Sequence, residues 1–135
     1  MIYAVTGGRG FDDAAFLRFH LRLIHKAEPF TMLAHGNASG ADKLAASWAA
    51  LRNIGLWPFD AAWDDIDAPG ALIKRRKDGK LYNALAGFWR NERMLDEAKP
   101  EALIRFPGGK GTAHCANEAF KRGIRVIECR LSGRI

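Results

Sequence analysis

Cysteine is nearly absent from this chain. Cys115 and Cys129 are the only two among 135 residues. Their separation matches no metal-ligating or redox spacing, and with no secretory signal ahead of them they read as reduced core residues rather than a bridge. The expectation is therefore a cytoplasmic protein. No apolar run approaches membrane-spanning length, and no internal repeat or low-complexity tract is visible. The first residues, Met1-Ile2-Tyr3-Ala4-Val5, read as a strand rather than a signal peptide. The length suits one domain over residues 1–135 with a single core. Acidic residues are the minority, 15 against 21 lysines and arginines, for a net charge of +6. That balance favours anionic partners in general, nucleotides and nucleic acids among them. The positive charge is uneven. Lys74, Arg75, Arg76, Lys77 and Lys80 form one run, and Arg122, Arg125, Arg130 and Arg134 another.

The richest local signal is Phe106-Pro107-Gly108-Gly109-Lys110-Gly111-Thr112. Ala102–Phe106 ahead of it reads as a short buried strand, and Ala113, Ala116, Ala119 and Phe120 behind it recur at helical spacing up to Gly123. A strand, a glycine-rich turn and a helix make a phosphate cradle, because the backbone can approach a ligand closely and free helix-start amides point at an anion. A ligand-free glycine-rich turn is the plainer reading. Lys110 precedes Gly111, so this is not a Walker A loop, and no Mg-ATP site follows from it. Gly7-Gly8-Arg9-Gly10 likewise lacks the third glycine of a dinucleotide fingerprint.

Strand and helix signals alternate along the rest. Ile2–Thr6 is a first strand. Asp12 or Asp13 caps a helix with Phe16, Leu17, His20, Leu21 and Ile24 inward, stopped by Pro29. Thr31–Ala34 is a second strand. Ser39 and Asp42 form a capping box for a helix whose stripe is Ala41, Leu44, Ala45, Trp48 and Leu51. Gly55 ends that helix, and Leu56–Phe59 is a weak third strand. From about 60 to 80 the pattern dissolves into a basic excursion. A helix follows from about Leu81 to Ala98 with Leu85, Phe88, Trp89 and Leu95 inward, and the Ala102–Phe106 strand, the Thr112–Arg122 helix and the Arg125–Cys129 strand close the chain. The β-α alternation predicts an α/β fold with a mainly parallel sheet of about five strands and helices on both faces. Ligands in such sheets sit beyond the strand carboxyl ends, where strand order reverses. Gly7-Gly8-Arg9-Gly10, His35-Gly36-Asn37-Ala38-Ser39-Gly40 and Pro107–Thr112 all fall at that edge.

Four motifs stand in order over nearly the whole chain outside the excursion. They are Val5-Thr6-Gly7-Gly8-Arg9 with Phe11; His35-Gly36-Asn37-Ala38-Ser39-Gly40-Ala41-Asp42; Ala86-Gly87-Phe88-Trp89-Arg90-Asn91 with Met94; and Phe106–Thr112. Together they resemble the YspA/YpsA-related branch of the SLOG superfamily. The resemblance implies a Rossmann-like three-layer α/β/α domain that binds nucleotides or nucleotide-derived ligands. The superfamily also contains the LOG phosphoribohydrolases, whose Pro-Gly-Gly-x-Gly-Thr-x-x-Glu motif carries a catalytic glutamate. Cys115 holds that position here, and a thiol cannot replace a carboxylate supporting an oxocarbenium-like transition state. Glu118 lies about one turn further on. LOG-like hydrolysis of a nucleoside monophosphate is thus disfavoured, and if the protein is an enzyme it is expected to be a nucleotide-processing hydrolase with catalytic residues unassigned.

The expected ligand residues are Gly7, Gly8, Arg9, Gly36, Asn37, Ser39, Gly40, Asp42, Arg90, Asn91, Pro107, Gly108, Gly109, Lys110, Gly111 and Thr112. Gly108, Gly109, Gly111 and Thr112 would offer amides and a hydroxyl to a phosphate, with Lys110 pairing it or facing water. Arg9 would clamp a second anion, or stand on the surface beside an Asp. Asp42 would accept from a ribose hydroxyl, or only cap its helix. Asn37 and Ser39 offer neutral donors and acceptors. Arg90 and Asn91 are assigned by the resemblance alone. Trp63 and Trp89 could stack a base, although most of the tryptophans read as core. No histidine has a partner at metal-ligand spacing, so no metal site is expected and no motif requires a cofactor. The rival reading is a single-stranded nucleic-acid-binding module. The superfamily includes DprA-like binders of this kind, and Lys74, Arg75, Arg76 and Lys77 could track a phosphate backbone. A homodimer is a further expectation, with no interface legible.

Overall fold

The computed structural model describes residues 1–130; Arg134 of the C-terminal basic group lies outside them. The elements are β1 (Ile2–Thr6), α1 (Ala14–Ala27), β2 (Met32–His35), α2 (Ala41–Ala50), β3 (Gly55–Pro58), β4 (Ile73–Arg75), β5 (Leu81–Asn83), α3 (Ala86–Ala98), β6 (Ala102–Arg105), α4 (Lys110–Lys121) and β7 (Arg125–Glu128). Five strands form one parallel sheet in the order β3-β2-β1-β6-β7. The chain runs outward from β1 through β2 to β3, then returns to the other side of β1 as β6. Strand order therefore reverses between β1 and β6, and their carboxyl ends open a crevice there.

Successive strand residues point to opposite faces, which divides the core in two. Tyr3, Val5, Leu33 and Ile104 pack against Leu17 and Leu21 of α1 and Ala45 and Trp48 of α2. Ala4, Ala34 and Leu103 pack against Met94 and Leu95 of α3 and Cys115 and Ala119 of α4. The fold is a three-layer α/β/α arrangement of the Rossmann-like kind. Asp13 caps α1 by accepting from the Phe16 amide at 3.0 Å. Lys99, in the left-handed region at φ 46°, ends α3 just before Pro100. Among the described residues, no helix is long and apolar enough to cross a membrane.

Several local expectations are corrected. The Ser39–Asp42 capping box does not form: α2 is capped by Gly40, and the Ser39 hydroxyl donates to the Arg9 carbonyl at 3.3 Å. Leu51 and Phe120, placed on buried stripes, are 84% and 81% exposed, because α2 has ended before Leu51 and Phe120 lies on the solvent side of α4. The segment around 81–85 is not helical. Residues 73–83 form an antiparallel hairpin, β4 with β5, turned at Asp78-Gly79. The hairpin is anchored, since the Asn83 amide donates to the Trp63 carbonyl and the Ala84 amide to the Leu72 carbonyl, both at 2.8 Å. The buried Asn83 side chain accepts from the Leu85 amide at 3.1 Å, which delays helix entry until Ala86. The inward residues of α3 then become Ala86, Gly87, Asn91, Met94, Leu95 and Ala98, with Leu85, Phe88 and Trp89 only half-buried.

Candidate functional site

Beyond the β1 and β6 carboxyl ends lies a cleft of about 380 Å³. Three loops build its floor, and Gly8 ties them together. Its amide donates to the Pro107 carbonyl at 2.8 Å, and its carbonyl accepts from the amides of Phe11 and Ala41, both at 3.2 Å. The approach is close enough to require glycine at two facing positions. A Cβ on Gly40, at φ 75°, would stand 2.2 Å from the Gly8 oxygen; one on Gly108 would stand 2.1 Å from the Thr112 hydroxyl. Gly40, Pro107 and Gly108 therefore serve the loop junction and do not line the cleft.

The stretch of the cleft wall at the start of α4 is anion-seeking. The first amide satisfied within α4 is that of Ala113, which donates to Gly109 at 3.0 Å, so the preceding amides are free to donate as at any helix start. Gly109, Gly111 and the buried Thr112 line this stretch. Arg9 lines the cleft too, its guanidinium 4.7 Å from the centre of the Trp63 ring.

The same wall holds an acceptor. Asp42 is 6% exposed. Its Oδ2 accepts from the amides of Gly36 at 3.1 Å and Ala38 at 3.3 Å, which holds the β2–α2 loop. Its Oδ1 is buried with no hydrogen-bond partner. Burial pushes its pKa up to about 6, against the opposing pull of the Ala38 and Gly36 amides, Arg90 and Arg9. A buried carboxylate oxygen without a donor is costly unless something supplies one, and this residue lines the cleft.

Arg90 and Asn91 are mostly spent on the frame. Arg90 donates to the Gly36 carbonyl at 2.6 Å and to Asn91 Oδ1 at 3.0 Å; burial lowers its pKa while Asp42 raises it. Asn91 donates to the Gly111 carbonyl at 3.1 Å and so ties α3 to the start of α4. Its Nδ2 also lies 3.3 Å from His114 Nδ1, an arrangement that suits the neutral ring burial favours. His114 stacks on Phe88 with ring centres 4.2 Å apart. His35 ends β2, buried, and accepts from the Asn37 amide at 3.0 Å.

The expected residues thus divide. Gly7, Gly8, Arg9, Gly36, Asp42, Arg90, Asn91, Gly109, Gly111 and Thr112 surround one cleft. Asn37 and Ser39 line a smaller adjoining depression with Asp60, to which Asn37 donates at 2.8 Å. Lys110 faces a different cleft beneath the hairpin. Trp63 is on the wall and Trp89 is not. The lining also holds Val5, Thr6, Ala38, Ala84, Gly87, Phe88 and Met94, none of them among the expected ligand residues, although all but Ala84 stood in the four motifs. Gly87 was the available signal, since a Cβ there would stand 2.9 Å from the Trp63 ring.

Residues 1–65, which hold two of the three floor loops, match the model of the YspA, cpYpsA-related SLOG family. Over 127 residues the chain is 33% identical to the Gene 61 protein of Mycobacterium phage D29, covering 91% of each. This chain belongs to that SLOG family. Membership suggests nucleotide-related ligand binding in general. Within this SLOG domain the position of the LOG glutamate is closed to chemistry: Cys115 is fully buried, and burial pushes its thiol up to about 12. Glu118 is held by Arg122 at 2.8 Å and Lys121 at 3.0 Å, which draw its pKa down to about 2, and it is absent from the cleft wall. Among the described residues, no group of three His, Cys, Asp or Glu side chains could hold a metal ion.

Proposed function

We infer that this chain binds a nucleotide-derived small molecule in the cleft between β1 and β6. Its phosphate would lie at the start of α4, and its sugar or base would reach Asp42. The observation that carries this reading is the buried, unpartnered Asp42 Oδ1, on a residue that lines the same cleft as the α4 helix-start residues and Arg9. A ligand that answers both features brings an anion together with hydroxyl or amino donors, and nucleotides carry both. Trp63, already carrying the Arg9 guanidinium, adds an aromatic wall. Binding is favoured over LOG-like hydrolysis, because Cys115 and Glu118 offer no free carboxylate to the cleft.

The test is a thermal-shift panel of AMP, ADP, ATP, NAD, ADP-ribose and cyclic nucleotides. A ligand at about one hundred times its Kd adds about 2.7 kcal/mol, a rise of several degrees. Gly109→Asp is the matched control. A Cβ there meets nothing within 4 Å, so the variant should fold normally while its carboxylate repels an anion at the helix start. A shift that Gly109→Asp abolishes supports the reading; no shift from any nucleotide, or one indifferent to Gly109→Asp, overturns it.

A further inference from the structure

A second cleft, of about 570 Å³, lies between the β4–β5 hairpin and the start of α4. Its wall carries Arg9, Lys74, Arg76 and Lys110 together with Trp63 and Tyr82, and no carboxylate. None of the four cations enters an ion pair among the described residues. Like charges gathered without a counter-charge repel one another, and a bound anion would relieve that repulsion. Two of the four are held in place by aromatic rings. Arg9 lies 4.7 Å from the Trp63 ring centre and Arg76 lies 5.2 Å from that of Tyr82.

The hairpin sorts the basic run by strand alternation. Lys74 pairs with Tyr82 across the ladder, and Leu72, Lys74 and Arg76 share the face that lines the cleft. Arg75 points elsewhere and donates to the Gly79 carbonyl at 2.8 Å, and Lys77 is absent from the wall. This cleft adjoins the first, since Arg9, Trp63, Ala84 and Phe88 line both. Its volume lies in the range of pockets that enclose whole small molecules rather than single ions.

We propose that the hairpin cleft takes the second nucleotide unit of a dinucleotide whose first unit fills the β1–β6 cleft, the linking phosphates passing Arg9. The inference rests on the nucleotide reading of the first cleft and narrows its ligand to two phosphate-joined nucleosides. A free dinucleotide is favoured over a long strand by the extent of the basic face. Only Lys74 and Arg76 of the run reach it, and the exposed Asp64, Asp65 and Asp67 precede it along the chain.

The experiment is calorimetric titration of the four nucleoside monophosphates, the matching pyrophosphate-linked and 3′,5′-linked dinucleotides, and a longer single-stranded homo-oligonucleotide. At least one dinucleotide should bind about tenfold or more tighter than its monophosphate, through the tethered second contact. Lys74→Gln with Arg76→Gln should erase that gain and leave monophosphate binding near its original value. Arg75→Gln with Lys77→Gln, equal in charge on the same hairpin, should retain it. Monophosphate binding without a dinucleotide gain overturns this inference alone, as does a gain that survives Lys74→Gln with Arg76→Gln or is lost equally in both pairs. Affinity that climbs further with the oligonucleotide assigns the face to single-stranded nucleic acid and also overturns it. Absence of binding by monophosphates and dinucleotides alike removes the reading of the first cleft and this one with it.

Discussion

Replacing Asp42 by Asn should shift relative stability progressively toward the variant as pH rises, while weakening the binding of whatever nucleotide the cleft takes. Asp42 has its pKa raised from 3.8 to about 6 by burial. Below pH 3.8 the carboxyl is neutral in both folded and unfolded chains and costs nothing through ionisation. Between 3.8 and 6 the unfolded chain releases the proton and the folded one keeps it, so stability falls with rising pH. Above 6 both forms are ionised and the loss is complete, about 3 kcal/mol in all. Roughly 2 kcal/mol of that falls between about pH 4.5 and 7. An Asn can keep its oxygen toward the Gly36 and Ala38 amides, which now hold Oδ2. Its NH₂ then replaces Oδ1 in the cleft, a buried unpaired group costing about 1–3 kcal/mol. That cost does not depend on pH, so it moves the whole curve without altering its slope. Urea denaturation of both proteins from about pH 4.5 to 7 reads the difference directly, because the titrating groups the two share cancel. A stability difference that stays flat across this window would refute the reasoning, because Asp42 would then titrate normally in the fold.

Three further outcomes follow from the packing. Gly40→Ala and Gly108→Ala should each lose about 2 kcal/mol or more, since their Cβ atoms would stand 2.2 Å from the Gly8 carbonyl oxygen and 2.1 Å from the Thr112 hydroxyl, whereas Gly109→Ala should change stability by less than about 0.5 kcal/mol; denaturant midpoints decide. Asn91→Ala should cost about 2 kcal/mol, because the Gly111 carbonyl and the Arg90 Nε both lose their partner, and amide exchange at the start of α4 should speed up. Cys115 and Cys129, both buried and pushed up to about 12, should resist iodoacetamide in the native protein and react on unfolding, as mass spectrometry of the alkylated chain would show.

The parts of the molecule legible in the sequence are those whose signal is a local period. Continuous apolar runs marked Ile2–Thr6 and Ala102–Phe106 as strands, and glycine clusters marked the turns that now meet at Gly8. The hairpin was illegible because its strands are three residues long and β4 carries charge on both faces, so no apolar alternation distinguishes the Lys74 side from the Arg75 side. Asp42 was legible as a polar group near a helix start, but the capping box assigned it the wrong partner. The competing donors, the Gly36 and Ala38 amides, precede it in a loop whose path depends on Gly40 crossing Gly8. Asn91 and Arg90 reached the cleft through family resemblance alone. Their burial is set by α3 packing on β2 and α4, a contact that no local period encodes.

Magnitudes argue that the two clefts act together. A helix-start contact contributes about 0.3–1 kcal/mol at an exposed site, while micromolar affinity needs about 8 kcal/mol. Arg90 has committed Nε and Nη1, and Asn91 its amide, to Gly36, Gly111 and each other, which leaves the Arg90 Nη2 with Asp42, Arg9 and an aromatic wall to make up the difference in the first cleft. A hydrogen bond to the Asp42 carboxylate contributes about 1.5–3 kcal/mol, and stacking on Trp63 about 1–3 kcal/mol. Those sums approach the micromolar range only when every contact is made at once. The unpaired cations of the hairpin are the remaining reserve, and they adjoin the first cleft through Arg9 and Trp63. Arg9→Ala should therefore weaken monophosphate and dinucleotide binding together, whereas Lys74→Gln with Arg76→Gln should touch only the dinucleotide. Combined, the substitutions should fall short of additivity, because a ligand released from the shared Arg9 wall no longer holds its second unit against the hairpin. Strict additivity in that double-mutant cycle would mean that Arg9 and the hairpin cations act on the ligand without coupling, and would refute the shared wall.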